Sequence, residues 1–162
     1  VVNMAGEYYG DYPFWNAATE AEVERLRSHI ALLPQLAESE LVTAGKDISM
    51  GGVAGTLLML AEASGCGAVL DLDRVFCPPN VPWEKWLTSF PSFGFLFSVP
   101  AECVVGVQAI FRGEGLVCEA VGEMISEQSV YLQAGGDQQQ LWRFSDALTG
   151  FGEASSDSYA VS

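Results

Sequence analysis

Apolar and polar positions alternate along this 162-residue chain in short stretches of both helical and strand period. Val23, Leu26, Ile30 and Leu33 recur three and four residues apart, the spacing of one helix face. Thr19, with Glu22 three residues on, reads as a capping box, so a helix is predicted to start there. His29 lies beside that face and is expected to be solvated or at the core edge. Pro34, lacking an amide N–H, is expected to break or restart the helix. "LVTAG" predicts a short strand. Residues 50–64 predict a second helix, with Val53, Leu57, Leu60 and Ala61 on its apolar face and Gly65 as its C-terminal stop. "GAVLDL" and "FGFLFSV" are apolar runs of strand length, the second fully buried, and "PWEKWLTSF" between them predicts a short helix or turn. Pro100 opens a helix over 101–112 that Gly113 closes. "GLVCEAVGEM", "QSVYLQA" and "QLWRF" predict the last strands, the final one at an edge. The opening "VVNMA" reads as a short strand and "GEYYGDYPFWNAA" as a loop. Short helices and strands without a strict parallel repeat predict an α+β domain, a mixed β-sheet layered with α-helices.

Composition narrows the function classes. With 49% hydrophobic residues the chain can bury a real core. Its 21 acidic and 7 basic residues give a net charge of −14. That excludes nucleic acid, which needs basic patches, and anionic membrane surfaces. No apolar run reaches 18 residues, so no spanning helix is predicted. No signal peptide is visible, and the expected location is cytoplasmic. Cys66, Cys77, Cys103 and Cys118 show no C-x-x-C spacing, and a single histidine could join them. Reduced thiols are therefore expected, with no metal site.

The candidate chemistry lies in "KDISMGG", residues 46–52, between a predicted strand and a predicted helix. The first N–H groups of a helix have no internal partner, and the helix dipole favours an anion there. Glycines at 51 and 52 let a ligand approach the backbone. Lys46 adds a positive charge, and Asp47 can face a Mg²⁺ ion or a substrate donor. A purely structural alternative stays open. Ser49 or Asp47 would then cap the helix, and Gly51 and Gly55 would let it pack closely on a neighbour. The stretch is not a Walker A loop. Elsewhere, Tyr8, Tyr9, Tyr12, Phe14 and Trp15 form an aromatic cluster expected to pack rather than to clamp a planar ligand. Trp83 and Trp86 likewise read as packing. Glu62, Asp71, Asp73 and Arg74 are expected to be solvated or paired at element ends. No nucleophile–base pair is visible.

"AGKDISMGGVAGTLLMLAEASGCGAVLDLD" resembles the C-terminal domains of the AIR synthase (aminoimidazole ribonucleotide synthetase) superfamily. Asp47, Ile48, Ser49 and Gly52 match its D-[IVA]-[ST]-x-x-G motif. Gly65, Gly67, Ala68, Leu70 and Leu72 match the G-x-G-A-x-[IL]-x-L that follows. Farther on, Gly94, Leu96, Pro100, Glu102, Gly115, Val121, Gly122 and Glu123 take the places of the family's strand–helix–strand and closing G-E. The likeness covers roughly residues 20–135 and is specific as a set. It looks nearest to the AIR synthase-related proteins.

The resemblance implies a PurM-like C-terminal fold, partly ferredoxin-like. It implies the substrate-side half of an ATP-dependent, ligase- or kinase-like enzyme that activates a small substrate by phosphoryl transfer. Asp47 would be catalytic, and Lys46, Ser49, Gly51 and Gly52 would hold substrate or phosphate. ATP and Mg²⁺ would serve the full-length parent, with none expected in this chain alone. The implied partners are a small-molecule substrate, an N-terminal ATP-binding domain and, in one arrangement, a homodimer mate. Residues 1–18, opening without Met, are then expected to be the tail of that N-terminal half or a linker. Residues 19–145 would form the domain and residues 146–162 a mobile tail. The alternative expectation is a non-catalytic module of the same fold that binds a small ligand or a protein.

Overall fold

The computed structural model describes residues 1–145 and 148–150. Most of the expected tail lies outside the described residues. The fold is mixed α+β, as the hydrophobic pattern predicts. Among the described residues the strands fall into three small sheets rather than one.

The aromatic stretch near the start is not a simple loop. It forms two strands, β1 (Glu7–Tyr8) and β2 (Phe14–Asn16), paired antiparallel. β2 also pairs in parallel with β5 (Phe90–Pro91). Trp15 is buried there, edge-on to Tyr8 and to the buried Trp86. The Trp86 indole N–H donates to the Phe76 carbonyl at 2.8 Å. The expected packing role thus holds for Tyr8, Trp15 and Trp86. Tyr9 and Tyr12 stand in solvent.

Helix α1 runs Val23–Glu38 and departs from the sequence expectation in three ways. Thr19 does not cap it. The Asn16 side chain takes Thr19 instead, donating to its hydroxyl at 2.8 Å and accepting from its amide at 3.2 Å. Glu22 stands at the N-cap with no side-chain hydrogen bond. The buried face is His29, Leu32 and Leu36, while Val23 and Ile30 are more than half exposed. Finally, Pro34 sits inside an unbroken helix. The carbonyl it leaves without a helical partner belongs to Ile30, on the exposed face, where water can serve it.

β3 (Ala44–Asp47) pairs antiparallel with β6 (Phe95–Ser98), Asp47 opposite Phe95 and Gly45 opposite Phe97. This pair separates two cores. On one face α2 (Gly52–Ala63) buries Leu57, Leu60 and Ala61 against Ile48, Leu96 and a second sheet. That sheet has the order β7 (Gly122–Ile125), β4 (Gly67–Asp71), β8 (Ser129–Ala134), β9 (Asp137–Arg143), with β4 parallel to β8 and the other pairs antiparallel. Flanked by two strands and covered by α2, β4 reads as a near-continuous apolar run. On the other face α1 and α4 (Val104–Gly113) bury Leu32, Leu36, Val107 and Phe111. Phe93, Phe95, Phe97 and Phe111 follow one another with ring centroids 5.1–5.9 Å apart. Each such pair adds about 0.5–1.5 kcal/mol beyond area burial.

Residues 1–3 tie the halves together. Val2 bridges both Gly94 and Val117, and the Asn3 amide donates to the Phe93 carbonyl. α3 (Trp83–Leu87) packs beside the start of α2.

Candidate functional site

The strand–turn–helix expected at residues 46–52 is present. β3 ends at Asp47 and α2 begins at Gly52. Alternation along β3 turns Ile48 into the core and leaves Asp47 outside, with two-thirds of its side chain exposed. The Ile48 amide donates to the Gly94 carbonyl at 2.9 Å, which fixes the end of the strand against the turn leading into β6. Met50, at the tip, is 81% exposed.

The helix start is bare. Gly51 occupies the N-cap, no side chain caps it, and the first turn carries no acidic residue. Ser49 and Asp47 are therefore not capping residues. The Ser49 amide instead donates to the Thr56 hydroxyl at 3.2 Å, and the Gly52 amide donates back to the Ser49 carbonyl at 2.8 Å. These two bonds fold the turn onto the helix and leave its N-terminal end facing outward. Gly55 touches nothing that a side chain would disturb, so close interhelical packing does not account for it.

Gly52 is different. Its φ is +64°, and a β-carbon there would run into the carbonyl of Leu87 at the end of α3. The positive φ turns the chain out of β3 into α2, and the missing side chain lets the turn seat on α3. Sequence reading assigned this glycine to ligand approach; part of its role is structural.

Lys46 and Asp47 sit together at the end of β3, Nζ 3.4 Å from Oδ1. Both side chains are partly or mostly exposed, so the pair contributes little to stability. They line a groove of about 680 Å³ bounded by Leu33 and Ala37 of α1, Met59 of α2 and Phe97 of β6. Ser49, Gly51 and Gly52 do not line that groove. Ile48 and Val53 line a separate, largely apolar cavity of about 440 Å³. The candidate residues therefore form two adjoining parts: a charged pair at a groove end, and an uncapped helix N-terminus beside it. Among the described residues no three His, Cys, Asp or Glu side chains converge as metal ligands.

The other flagged residues are placed as follows. His29 is buried, its Nε2 3.2 Å from the Glu114 carbonyl, and is neither solvated nor at an edge. Asp71 and Asp73 are paired at element ends, accepting from the amides of Asp73 and Gly135. The four cysteines lie apart as free thiols, and burial pushes those of Cys66, Cys77 and Cys118 up. Glu62 is not solvated. It is 6% exposed, and its carboxylate accepts from residues 148–150. Nothing in the local sequence signals that contact across 86 residues.

The described residues thus form an α+β domain in which an uncapped, glycine-bearing helix start lies beside an antiparallel strand pair and a charged pair. The chain belongs to the family described as AIR synthase related protein, C-terminal domain, whose model matches residues 4–135. An uncharacterised protein of Synechocystis sp. is 47% identical over 153 residues, 93% of this chain and 48% of that protein. One of Methanocaldococcus jannaschii is 29% identical over 143 residues, 88% of this chain and 44% of that protein. The chain thus spans about half the length of the curated relatives it matches. Among solved structures, Thermotoga maritima PurL complexed with ATP aligns with a TM-score of 0.63 at 22% identity, over 78% of this chain and 22% of that one. Escherichia coli HypE, a hydrogenase maturation protein, aligns with a TM-score of 0.60 at 20% identity, over 69% of this chain and 38% of that one. Those two likenesses show a shared fold. No described helix is long and apolar enough to cross a membrane.

Proposed function

We propose that this chain is the substrate-side half of an ATP-dependent enzyme that activates a small substrate by phosphoryl transfer. The observation that carries the proposal is the bare N-terminus of α2, with exposed Gly51 at the cap and no side chain satisfying it. Such an end attracts an anion through the helix dipole and the first-turn N–H groups, although the Gly52 amide also donates to the Ser49 carbonyl. Ser49 and the amides near Gly51 and Gly52 would hold a phosphate or carboxylate. Lys46 would add charge, and Asp47, exposed at the groove end, would orient a substrate donor. Membership of the AIR synthase-related family and coverage of only about half of longer relatives support a division of labour with an N-terminal, ATP-binding half. Residues 1–18 would carry the join while packing, through β1 and β2, onto the domain of residues 19–145.

The donor set fits one anionic group better than a whole nucleotide. One lysine and a helix end can hold one phosphate, whereas ATP carries three. Asp47 alone is one ligand for Mg²⁺, which needs near-octahedral oxygen coordination. Most contacts to Mg·ATP are therefore assigned to the other half. In this division the chain contributes positioning and charge neutralisation, the main catalytic terms in phosphoryl transfer.

Amide chemical shifts test this. Titration of the labelled chain with inorganic phosphate should move the resonances of Gly51, Gly52 and Val53 in a saturable way at millimolar concentration. Asp47→Ala in the full-length parent should abolish substrate-stimulated ATP turnover. Phosphate shifts scattered over the surface, with none at residues 49–53, would remove the anion site and favour a binding module that keeps only the fold.

A further inference from the structure

The apolar cavity of about 440 Å³ lies apart from the groove at Lys46 and Asp47. Protein interiors hold few voids larger than a water molecule. This one follows two backbone stretches. Its walls include every residue from Phe95 to Val99, along β6 and just past it, and from Val117 to Met124, which run into β7. Leu57 and Leu60 of α2 line it, and so do Val104 and Val107 of α4, so helices wall it from both faces of the β3–β6 pair.

Residues 1–3 lead into this cavity as a strand. Val1 and Phe95 exchange two hydrogen bonds, at 2.8 and 2.9 Å. Val2 and Val117 exchange two more, at 2.9 and 3.1 Å, and both bridges made by Val2 are antiparallel. Val1 itself lines the cavity. Hydrogen-bonded positions recur at every second residue of an antiparallel ladder, so the next ones are Phe97 on β6 and Glu119 across from it. β3 takes the other edge of β6, where the Gly94 carbonyl accepts from the Ile48 amide.

We propose that the cavity seats a β-strand formed by the segment that runs into Val1 in the longer protein. This rests on the reading of the chain as one half of such a protein, and it spans about half of its curated relatives. The strand lies antiparallel to β6 and to residues 117–121. Its first residue ahead of Val1 pairs with Glu119, and its second with Phe97. Between α2 and α4 it is covered on both faces, so its sequence is a continuous apolar run rather than an alternating one. It joins the β3–β6 pair to the β7–β4–β8–β9 sheet as one mixed sheet, and so braces the strand that ends at Asp47.

Amide exchange measured by NMR tests this on the 162-residue chain with four residues added before Val1. The extension Val-Ile-Val-Ile should slow the Phe97 and Glu119 amides by about tenfold or more relative to Gly-Ser-Gly-Ser, with residues 137–143 of the exposed β9 unchanged. The longer protein should protect the same two amides. Equal rates with the two extensions, or faster exchange with the apolar one, overturn the proposal. So does exchange at Phe97 and Glu119 in the longer protein as fast as with Gly-Ser-Gly-Ser. Protection of both amides in the unextended chain to the level of Leu70 in β4 also overturns it, and assigns the cavity to residues 151–162 or, where the rates vary with protein concentration, to a second copy. These rates do not depend on ATP turnover or on phosphate shifts at residues 49–53, so the strand and the anion site fail separately.

Discussion

Gly52 shows how one residue can answer to both structure and site. Its φ of +64° and its contact with the Leu87 carbonyl exclude any side chain without local movement. A residue forced into that region costs about 1–3 kcal/mol, and the clash adds to it. Gly52→Ala should therefore lower stability by at least about 2 kcal/mol in urea denaturation. Gly55→Ala, in open space within a helix, should instead raise it by roughly 0.5–1 kcal/mol. Equal effects at the two positions would refute this assignment of the glycines. Asp47 lies at the opposite extreme. Its side chain is two-thirds exposed and, among the described residues, its one ion pair is with its neighbour. Asp47→Asn should change stability by no more than about 0.5 kcal/mol, so a loss of turnover in the parent protein would report on chemistry rather than folding.

At the scale of elements, periodicity located most of the fold but misassigned the buried face of α1. Val23, Leu26, Ile30 and Leu33 satisfy a helical spacing as well as His29, Leu32 and Leu36 do, and the choice rests on tertiary contacts with Phe93 and Phe111 that no local window contains. The capping box failed for a related reason: Asn16, three residues before Thr19, competes for it. By contrast, the loop at residues 46–52 was legible, because its strand, paired glycines and following apolar run are all local. Glu62 was not legible, since its partners lie at the other end of the chain. Pro34 gives an element-level prediction. A mid-helix proline costs about 3 kcal/mol relative to alanine, offset by up to about 1 kcal/mol of lost freedom in the unfolded chain. Pro34→Ala should stabilise the protein by about 2 kcal/mol, read as a higher denaturation midpoint at unchanged slope. Glu62 gives another. The Thr149 hydroxyl, opposed by burial, holds the Glu62 carboxyl below the usual glutamate value, with the backbone amides of 148–150 helping. A lowered folded-state value means that the contribution is present above the ordinary glutamate value and is lost as pH falls through the lowered one. The Glu62 carboxyl should therefore titrate below an exposed glutamate in an NMR pH series, and an ordinary or raised midpoint would refute the contact.

At the scale of the whole molecule, charge and inventory of donors set the limit on what the chain does alone. A net charge of −14 repels a polyanion at long range. Against it stand one lysine at the end of β3 and a helix terminus worth about 0.3–1 kcal/mol at an exposed position. Micromolar affinity requires about −8 kcal/mol. The two adjoining parts of the candidate site do not supply that for a nucleotide, although they suit a single phosphate or carboxylate delivered by a partner surface. The chain by itself should therefore neither hydrolyse ATP nor bind Mg·ATP at micromolar concentration, whereas a longer protein that carries the proposed ATP-binding half should do both. Calorimetric titration of each protein with Mg·ATP at 0.1 M salt checks the division. The salt weakens long-range repulsion, with a screening length of about 10 Å, so a negative result for the chain reflects missing contacts rather than charge alone. Micromolar binding by the 162-residue chain would place a complete nucleotide site within it and would reverse the roles assigned to the two halves.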